Sequence, residues 1–190
     1  MMSKFIIVGT AGRDKTKPMT EALWKWMVSD VYRRIPEGSH VISGGAAWAD
    51  HLAISMFLFN GAGAITLHLP APFANGKFVE SGFKSAGATA NYYHKLFSDA
   101  IRCDTLGQIQ TVFDQLTPFK AVETIHITCE PASPGIGGMF ARNAKVAAHA
   151  DAHMLAYTFG EGDEPADGGT KNTWDKFLGQ KTHISLPILI

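Results

Sequence analysis

The sequence predicts an α/β fold with a mostly parallel central sheet. Its first seventy residues alternate apolar, strand-like runs with helix-like runs, in the order strand, helix, strand, helix, strand. Short links between such elements favour parallel strands joined by right-handed crossovers. The chain has 190 residues, of which 46% are hydrophobic and 18% charged, so it can bury a substantial core as one domain, with or without a sizeable insertion.

The N-terminal elements follow from hydrophobic periodicity and from the residues that end each run. Residues 5–8 are continuously apolar and stop at Gly9, as expected for a strand that is buried on both faces. Residues 20–34 place apolar side chains at helical spacing and are followed by Pro36. The same reasoning predicts a strand, a helix and a strand over residues 40–43, 49–60 and 64–69.

The middle of the chain, residues 73–135, is less regular and predicts a largely helical insertion. A surface loop is expected first, then two helices over residues 88–116, and then a strand over residues 124–129, which alternate in polarity. We expect this insertion to cap the functional site or to make a subunit contact. Beyond it, the pattern predicts helices over residues 140–150 and 171–178 and strands over residues 152–157 and 182–186.

Composition argues against several classes of function. The formal net charge is zero, so no global basic field would recruit nucleic acid. No run approaches the roughly 20 apolar residues of a membrane span, and the apolar run that ends at Gly9 is too short for a signal peptide. Cys103 and Cys129 form no CxxC motif, which favours reduced thiols in a cytoplasmic protein.

Three glycine-containing turns follow predicted strands and indicate one nucleotide-sized site. They are Gly9-Thr10-Ala11-Gly12-Arg13-Asp14, Ser43-Gly44-Gly45 and Asp167-Gly168-Gly169-Thr170. Ligands of parallel sheets bind beyond the carboxyl ends of the strands, so the three turns are expected to face one ligand. Glycine lets the backbone approach that ligand, and free N–H groups at a helix N-terminus favour a phosphate or another anion.

Side chains in and near these turns supply the candidate ligand contacts. Arg13 and Arg142 could each pair with a phosphate, and Asp50 could accept ligand hydroxyl groups or cap a helix. Thr170 and Thr173 lie three residues apart, so both hydroxyls can face one side of a helical first turn. The predicted ligand-binding residues are Gly9, Thr10, Gly12, Arg13, Gly44, Gly45, Asp50, Arg142, Asn143, Gly168, Gly169, Thr170 and Thr173.

Two further patterns leave alternatives open. Trp48 could stack on a base, although a tryptophan packed in the core is more common. The spacing His149-x-Asp151-x-His153 matches three residue types that bind metals, but no further cluster supports it, and no metal site is expected. The sequence contains no Gly-x-Ser-x-Gly motif, so a serine nucleophile of that class is not indicated.

The ordered set of motifs resembles the SLOG superfamily of Rossmann-like nucleotide-binding proteins, and is most similar to its YspA/YpsA-related branch. That branch carries a Gly-Ser-Arg start, a Gly-Gly-Ala…Gly-x-Asp-x-x-Ala segment and an Arg-Asn before a late strand. The corresponding segments here are residues 9–13, 43–53 and 142–143. The resemblance covers residues 5–70 and 139–186.

This resemblance implies a Rossmann-like three-layer sandwich, with residues 1–190 as a single domain that carries the insertion 73–135. It also implies binding of a nucleotide or an ADP-ribose-like ligand, by a homodimer or higher homo-oligomer, with no other cofactor required. The expected role is that of a sensor or sequestering module. A nucleic-acid-handling role, known for another branch, is disfavoured because the chain has no net charge and no stripe of aromatic and basic residues.

An enzymatic alternative comes from the Lonely Guy phosphoribohydrolases of the same superfamily, which cleave the N-glycosidic bond of a nucleoside monophosphate. Arg142 matches their arginine, and Gly169-Thr170 matches the Gly-Thr of their Pro-Gly-Gly-x-Gly-Thr-x-x-Glu signature, but Thr173 stands where the catalytic glutamate should be. Glycosidic cleavage normally needs a carboxylate. A phosphoribohydrolase or a deoxyribosyltransferase-like activity therefore has Arg142, Asp50 and Asp167 as its catalytic candidates, with Asp151 and Glu80 as further carboxylates.

Overall fold

Six parallel strands form the central sheet in the computed structural model, which describes residues 2–166 and 168–189 apart from the side chain of Val122. In chain order the strands are β1 (Lys4–Gly9), β2 (Ser39–Ser43), β3 (Ala62–Leu69), β4 (Phe73–Ala74), β5 (Lys77–Phe78), β6 (Ile125–Cys129), β7 (His153–Thr158) and β8 (Gln180–Ser185). β4 and β5 form a separate antiparallel pair. The central sheet has the order β6-β3-β2-β1-β7-β8, which confirms the predicted α/β fold with a parallel sheet.

Helices cover both faces of the sheet and complete a three-layer, Rossmann-like sandwich. They are α1 (Glu21–Arg34), α2 (His51–Leu58), α3 (Ala86–Ile101), α4 (Thr105–Asp114), α5 (Pro118–Glu123), α6 (Gly137–Ala147) and α7 (Gly168–Lys176), with a 3₁₀ turn (Trp48–Asp50) before α2. In β1, Ile7 packs in the core with α1 and α2, whereas Ile6 and Val8 pack with α6 and α7. Both faces of β1 are covered, which explains its continuous apolar run. None of the helices in the described parts of the chain has the length and apolar character needed to cross a bilayer.

Local capping explains where several predicted helices begin. The Thr20 hydroxyl accepts the Leu23 N–H at 3.1 Å and starts α1. The Asp104 carboxylate likewise accepts the Gly107 N–H at 2.9 Å and starts α4. The two helices predicted over residues 88–116 therefore occur as α3 and α4.

Other elements differ from the prediction. The β4–β5 pair lies in a stretch expected to be a loop, and the short helix α5 was not predicted. Helix α6 begins at Gly137 rather than Phe140, and α7 begins at Gly168 rather than Lys171. Glycine destabilises an isolated helix by about 1 kcal/mol relative to alanine. A prediction based on helix propensity therefore places the starts of α6 and α7 too late in the chain. The Gly-Gly-Thr segment is therefore the first turn of α7 rather than a loop before it.

Residues 73–135 are integrated into the fold. β6 pairs with β3 in parallel register and forms one edge of the central sheet. Phe97 and Val112, two large apolar residues of this segment, are fully buried within this chain. The segment is thus helical for the most part, as predicted, but its last strand belongs to the common sheet.

The strand order reverses between β1 and β7, where a crevice forms at the carboxyl ends of a parallel sheet. Gly9 ends β1 at this point. A Cβ on Gly9 would lie 2.1 Å from the Tyr157 carbonyl oxygen and 2.6 Å from the Ala49 Cβ. The next amide, that of Thr10, donates to the same Tyr157 carbonyl at 2.8 Å. Glycine at this position is therefore what allows the first strand to end so close to its neighbours.

Candidate ligand-binding site

A cavity of about 320 Å³ opens at the carboxyl ends of β1 and β7. Most of the predicted ligand-binding residues lie in its wall, although they come from four separate parts of the chain. These wall residues are Gly9, Thr10, Arg13, Asp50, Arg142, Asn143, Gly168, Gly169, Thr170 and Thr173. Parallel strands end at one edge, so the turns that follow β1, β2 and β7 meet there.

Asp50 lies at the base of the cavity and is only 5% exposed. Its carboxylate accepts the backbone N–H groups of Gly9 at 3.3 Å, Gly44 at 3.2 Å and Ala46 at 3.5 Å. It makes no capping bond to α2, so the capping role considered for it does not occur. Burial raises the pKa of Asp50, whereas Arg142 and the three N–H groups favour its ionised form. Asp50 therefore ties the ends of β1 and β2 together.

Arg142 projects from α6 into the same region and is 8% exposed. Its Nη1 donates to the Gly44 carbonyl oxygen at 2.5 Å and lies 3.8 Å from the Asp50 carboxylate. Burial lowers the pKa of Arg142, but the guanidinium remains charged at neutral pH. Its Nη2 donates to no group in the described residues, and Arg142 lines the cavity. The second edge of the guanidinium is thus free for a ligand anion.

Gly44 lies behind Arg142, and neither Gly44 nor Gly45 lines the cavity. A Cβ on Gly44 would lie 2.5 Å from the Arg142 Cδ, so glycine makes the room that the arginine occupies. Gly45 has φ +66, and its carbonyl oxygen accepts the His94 Nε2–H at 3.0 Å. Gly12, with φ +76, packs near the Trp48 indole. These three glycines shape the turns without being part of the wall.

The N-terminal turns of two helices border the cavity. Gly168, Gly169 and Thr170 form the start of α7 and lie in the wall, while Asn143 of α6 donates to the Gly169 carbonyl at 3.3 Å. The Thr173 hydroxyl donates to the same carbonyl at 3.1 Å. Free N–H groups at a helix start attract anions. Asp167 lies outside the described residues.

Only some of the carboxylates in the described residues lie at the cavity. Glu80 accepts a bond from the Asn91 side chain, and Asp151 pairs with Lys4 at 2.6 Å; neither lines the cavity. Asp14 does line it, although its carboxylate accepts the backbone and hydroxyl donors of Thr16. Among the described residues, Asp14 and Asp50 are therefore the carboxylates at this site.

Sequence reasoning missed an entire wall of the cavity. Helix α3 contributes Thr89, Ala90 and Tyr93, and the start of α6 contributes Met139 and Phe140. The insertion had been expected to cap the site or to contact a subunit, and α3 does border the cavity. The sequence of α3 shows an amphipathic pattern, but such a pattern does not reveal which part of the protein the helix contacts.

Trp48 is a core residue and not a stacking surface. It is 3% exposed, and its ring centroid lies 4.4 Å from that of Phe97. Its backbone has φ +64, which is uncommon for a residue with a side chain. This backbone conformation makes a sharp bend between the glycine turn and the 3₁₀ turn, and burial of the indole stabilises the conformation.

The His149-x-Asp151-x-His153 pattern does not converge. His149 Nε2 lies 2.8 Å from His68 Nε2, while His153 bonds to the Thr182 hydroxyl and Asp151 pairs with Lys4. Across residues 2–166 and 168–189, no group of three or more histidine, cysteine, aspartate or glutamate side chains is placed to hold a metal ion. The His68 and His149 ring centroids are 5.1 Å apart, which fits a direct imidazole hydrogen bond.

Comparison with known proteins identifies one full-length relative. The chain is 32% identical over 197 residues to "Uncharacterized protein R261" of Acanthamoeba polyphaga mimivirus, and the alignment covers 98% of each chain. Coverage this complete includes most of residues 73–135, so the relationship extends to the wall formed by α3. No family model matches the chain, and no solved structure matches it.

Proposed function

We propose that this chain, which belongs to the same family as the mimivirus protein R261, binds a nucleotide or a nucleotide-derived ligand as a sensor or sequestering module. The observation that carries the proposal is the cavity at the β1/β7 reversal, where Arg142 presents an unpaired guanidinium edge beside the start of α7. Ligands of parallel α/β sheets bind in this crevice. A phosphate group matches both the arginine fork and the helix start.

The balance of donors and acceptors at the cavity favours an anion. Among the described residues, two arginines and two aspartates line it, so the formal charge of this part alone decides nothing. The carboxylates of Asp14 and Asp50 are already occupied by donors of the protein. Arg142 keeps a free edge, and Arg13 makes no ion pair with any described carboxylate. The groups left for a ligand are therefore mainly N–H donors.

The size and composition of the cavity support a ligand of about one nucleotide. Its volume of about 320 Å³ is at the small end of ligand sites. Tyr93, Phe140 and Phe159 add aromatic surface to the polar wall. A ligand with one charged end and one flat, apolar end would use both kinds of surface.

Isothermal titration tests the proposal. Nucleoside mono-, di- and triphosphates, cyclic nucleotides and ADP-ribose are titrated into the wild type and into Arg142→Lys. The variant keeps the positive charge but loses the planar fork, so affinity is expected to fall about tenfold or more. Arg33→Lys, an exposed arginine on α1, is the matched control. Absence of binding by every nucleotide would refute the proposal, and undiminished binding by Arg142→Lys would place the ligand elsewhere.

An enzyme acting on the N-glycosidic bond of a nucleoside monophosphate is the second candidate function. Its support is that Asp14 and Asp50 line the same cavity as Arg142 and the Gly169-Thr170 segment. Thr173 is 2% exposed and carries no carboxylate, so Asp14, Asp50 or Asp167 would have to serve the reaction. Chromatography of nucleoside monophosphates incubated with the protein would detect free base. If no free base is released from purine or pyrimidine substrates, this candidate function fails and the proposal of ligand binding without catalysis stands.

Self-association is also proposed, because the resemblance to SLOG proteins implies dimers or higher homo-oligomers. Exposed apolar side chains support it: Tyr92 and Leu96 lie one turn apart on α3 and are 54% and 44% exposed. Light scattering at several protein concentrations measures the assembly directly. A monomer at all concentrations would overturn this part of the proposal without affecting ligand binding.

A further inference from the structure

We propose that Tyr93 is the surface on which the planar base of the ligand stacks, and that Arg13 moves from this ring to the ligand phosphate when the site fills. The inference rests on the proposed function, because it assigns two roles within the same cavity. Tyr93 belongs to α3, in the segment that the sequence motifs left without a role. Both residues line the cavity.

The Tyr93 ring is held firmly from one side. It packs against the buried cluster formed by Ala47, Trp48 and Phe97. The neighbouring Tyr92 ring meets it edge to face, with centroids 5.2 Å apart and an angle of 82° between the planes. An aromatic ring fixed in this way loses little freedom when a ligand stacks on it, which is a property of good stacking surfaces.

A flat cation lies over the Tyr93 ring. The Arg13 guanidinium carbon lies 5.3 Å from the ring centroid. A guanidinium is planar and delocalised, so it occupies an aromatic face in the way that a nucleobase can. Its position shows that there is room for a flat group over this face of the ring.

Arg13 is held there weakly enough to leave. The side chain is exposed, and its other contact is the thioether sulfur of Met139, 3.0 Å from Nη2. A methionine sulfur is a weak acceptor, and an exposed cation–π contact is a weak attraction. A phosphate offers charge-assisted bonds that are stronger than either.

Arg13 and Arg142 line the same cavity; burial is the main cause that lowers the pKa of Arg142, and the positive charge of Arg13 acts in the same direction. Two arginine side chains that line one cavity repel each other, and an anion between them removes the repulsion. The phosphate therefore draws Arg13 towards Arg142, and the vacated Tyr93 face receives the base. One ligand thus binds the two arginines through its phosphate and Tyr93 through its base.

The test separates base recognition from phosphate recognition. Adenosine, guanosine, cytidine and uridine 5′-monophosphates and ribose 5-phosphate are titrated into the wild type, Tyr93→Leu, Tyr93→Phe and Arg13→Gln. Tyr93→Leu is expected to weaken the nucleotides about tenfold and to leave ribose 5-phosphate unchanged, because only the base stacks. Tyr93→Phe keeps the ring and should bind as the wild type does.

Arg13→Gln should show the opposite selectivity. It is expected to weaken all five probes by a similar factor, because each carries the same phosphate. Tyr32→Leu, an exposed tyrosine on α1 outside the cavity, is the control for loss of a surface ring. Thermal unfolding of each variant confirms that it is folded before titration.

The outcomes distinguish the inference from the function on which it rests. If the wild type binds none of the probes, the proposed function and this inference both fail. If nucleotides bind but Tyr93→Leu retains their affinity, or loses ribose 5-phosphate equally, then Tyr93 is not the stacking surface and nucleotide binding stands. If Arg13→Gln leaves every affinity unchanged, the movement of Arg13 is refuted.

Discussion

Acidification from pH 7 to pH 5 should destabilise this protein through two histidines buried beside the cavity. His51 and His94 are fully buried, and their ring centroids are 5.6 Å apart. His51 Nε2 lies 2.7 Å from the Gln108 side-chain oxygen, while its Nδ1 has no partner among the described residues. A proton added at Nδ1 would be a buried donor without an acceptor, so the fold requires the neutral ring.

The magnitude follows from the pKa values. Burial lowers the pKa of His51 from 6.5 to about 3 and that of His94 to about 4, so both stay neutral in the folded protein at pH 5. In the unfolded chain each would bind a proton below pH 6.5. Because the unfolded state then binds more protons, stability falls as the pH falls. At pH 5 the loss is about 2 kcal/mol for each histidine, or about 4 kcal/mol together.

Such a loss is large beside a total stability of roughly 5–15 kcal/mol for a typical domain. Urea unfolding followed by circular dichroism at pH 7, 6 and 5 would measure it. His51→Phe removes one titrating ring from a site bordered by Trp24 and Phe97, so its loss of stability between pH 7 and pH 5 should be smaller than that of the wild type by about 2 kcal/mol. The difference between the two proteins isolates His51 from other groups that titrate in this range.

Phe119→Ala, which changes an exposed side chain on α5 and no titratable group, serves as the control and should lose as much stability as the wild type. If the wild type and His51→Phe lose the same free energy of unfolding on acidification, His51 is not held neutral by the fold. The reasoning from burial and the missing hydrogen-bond partner would then be wrong.

Two further predictions concern the support of Arg142. Gly44→Ala should lower the free energy of unfolding by about 1–3 kcal/mol, because its Cβ would lie 2.5 Å from the Arg142 Cδ. Gly137→Ala is the control, and it should lower the free energy of unfolding far less because a Cβ there meets nothing within 4 Å. Urea unfolding of the two variants measures the difference. Asp50→Asn should cost about 3 kcal/mol, because it leaves a buried guanidinium without a counter-charge; a stability equal to the wild type in the same assay would contradict that reasoning.

Much of the fold was predictable because it depends on local patterns. Continuous apolar strands, amphipathic helices and caps such as Thr20 are encoded within a few residues, and the strand–helix alternation then favours a parallel sheet. The helix starts at Gly137 and Gly168 were misplaced because packing overrides the low helix propensity of glycine. The site was predictable in outline, since turns that follow parallel strands lie at one edge.

Pairings between distant residues were not predictable in the same way. His149 was grouped with Asp151 and His153 on spacing alone, yet it contacts His68, 81 residues away in the sequence. The partners of Asp50 are backbone amides from three separate positions, which no side-chain motif records. Such contacts depend on where whole elements come to lie and not on the residues beside them.

The sequence by itself determined the alternation of strands and helices over its first seventy residues and the meeting of the glycine turns at one edge of the sheet, because both follow from local periodicity and from the rule that parallel strands end at one edge. Only the tertiary structure decided that Arg142 reaches the cavity through the space left by Gly44, and that α3 brings Tyr93 against Arg13. In both arrangements, residues that are far apart in the sequence come into contact only when the helices and strands pack together. A local sequence pattern does not specify the distances between such elements.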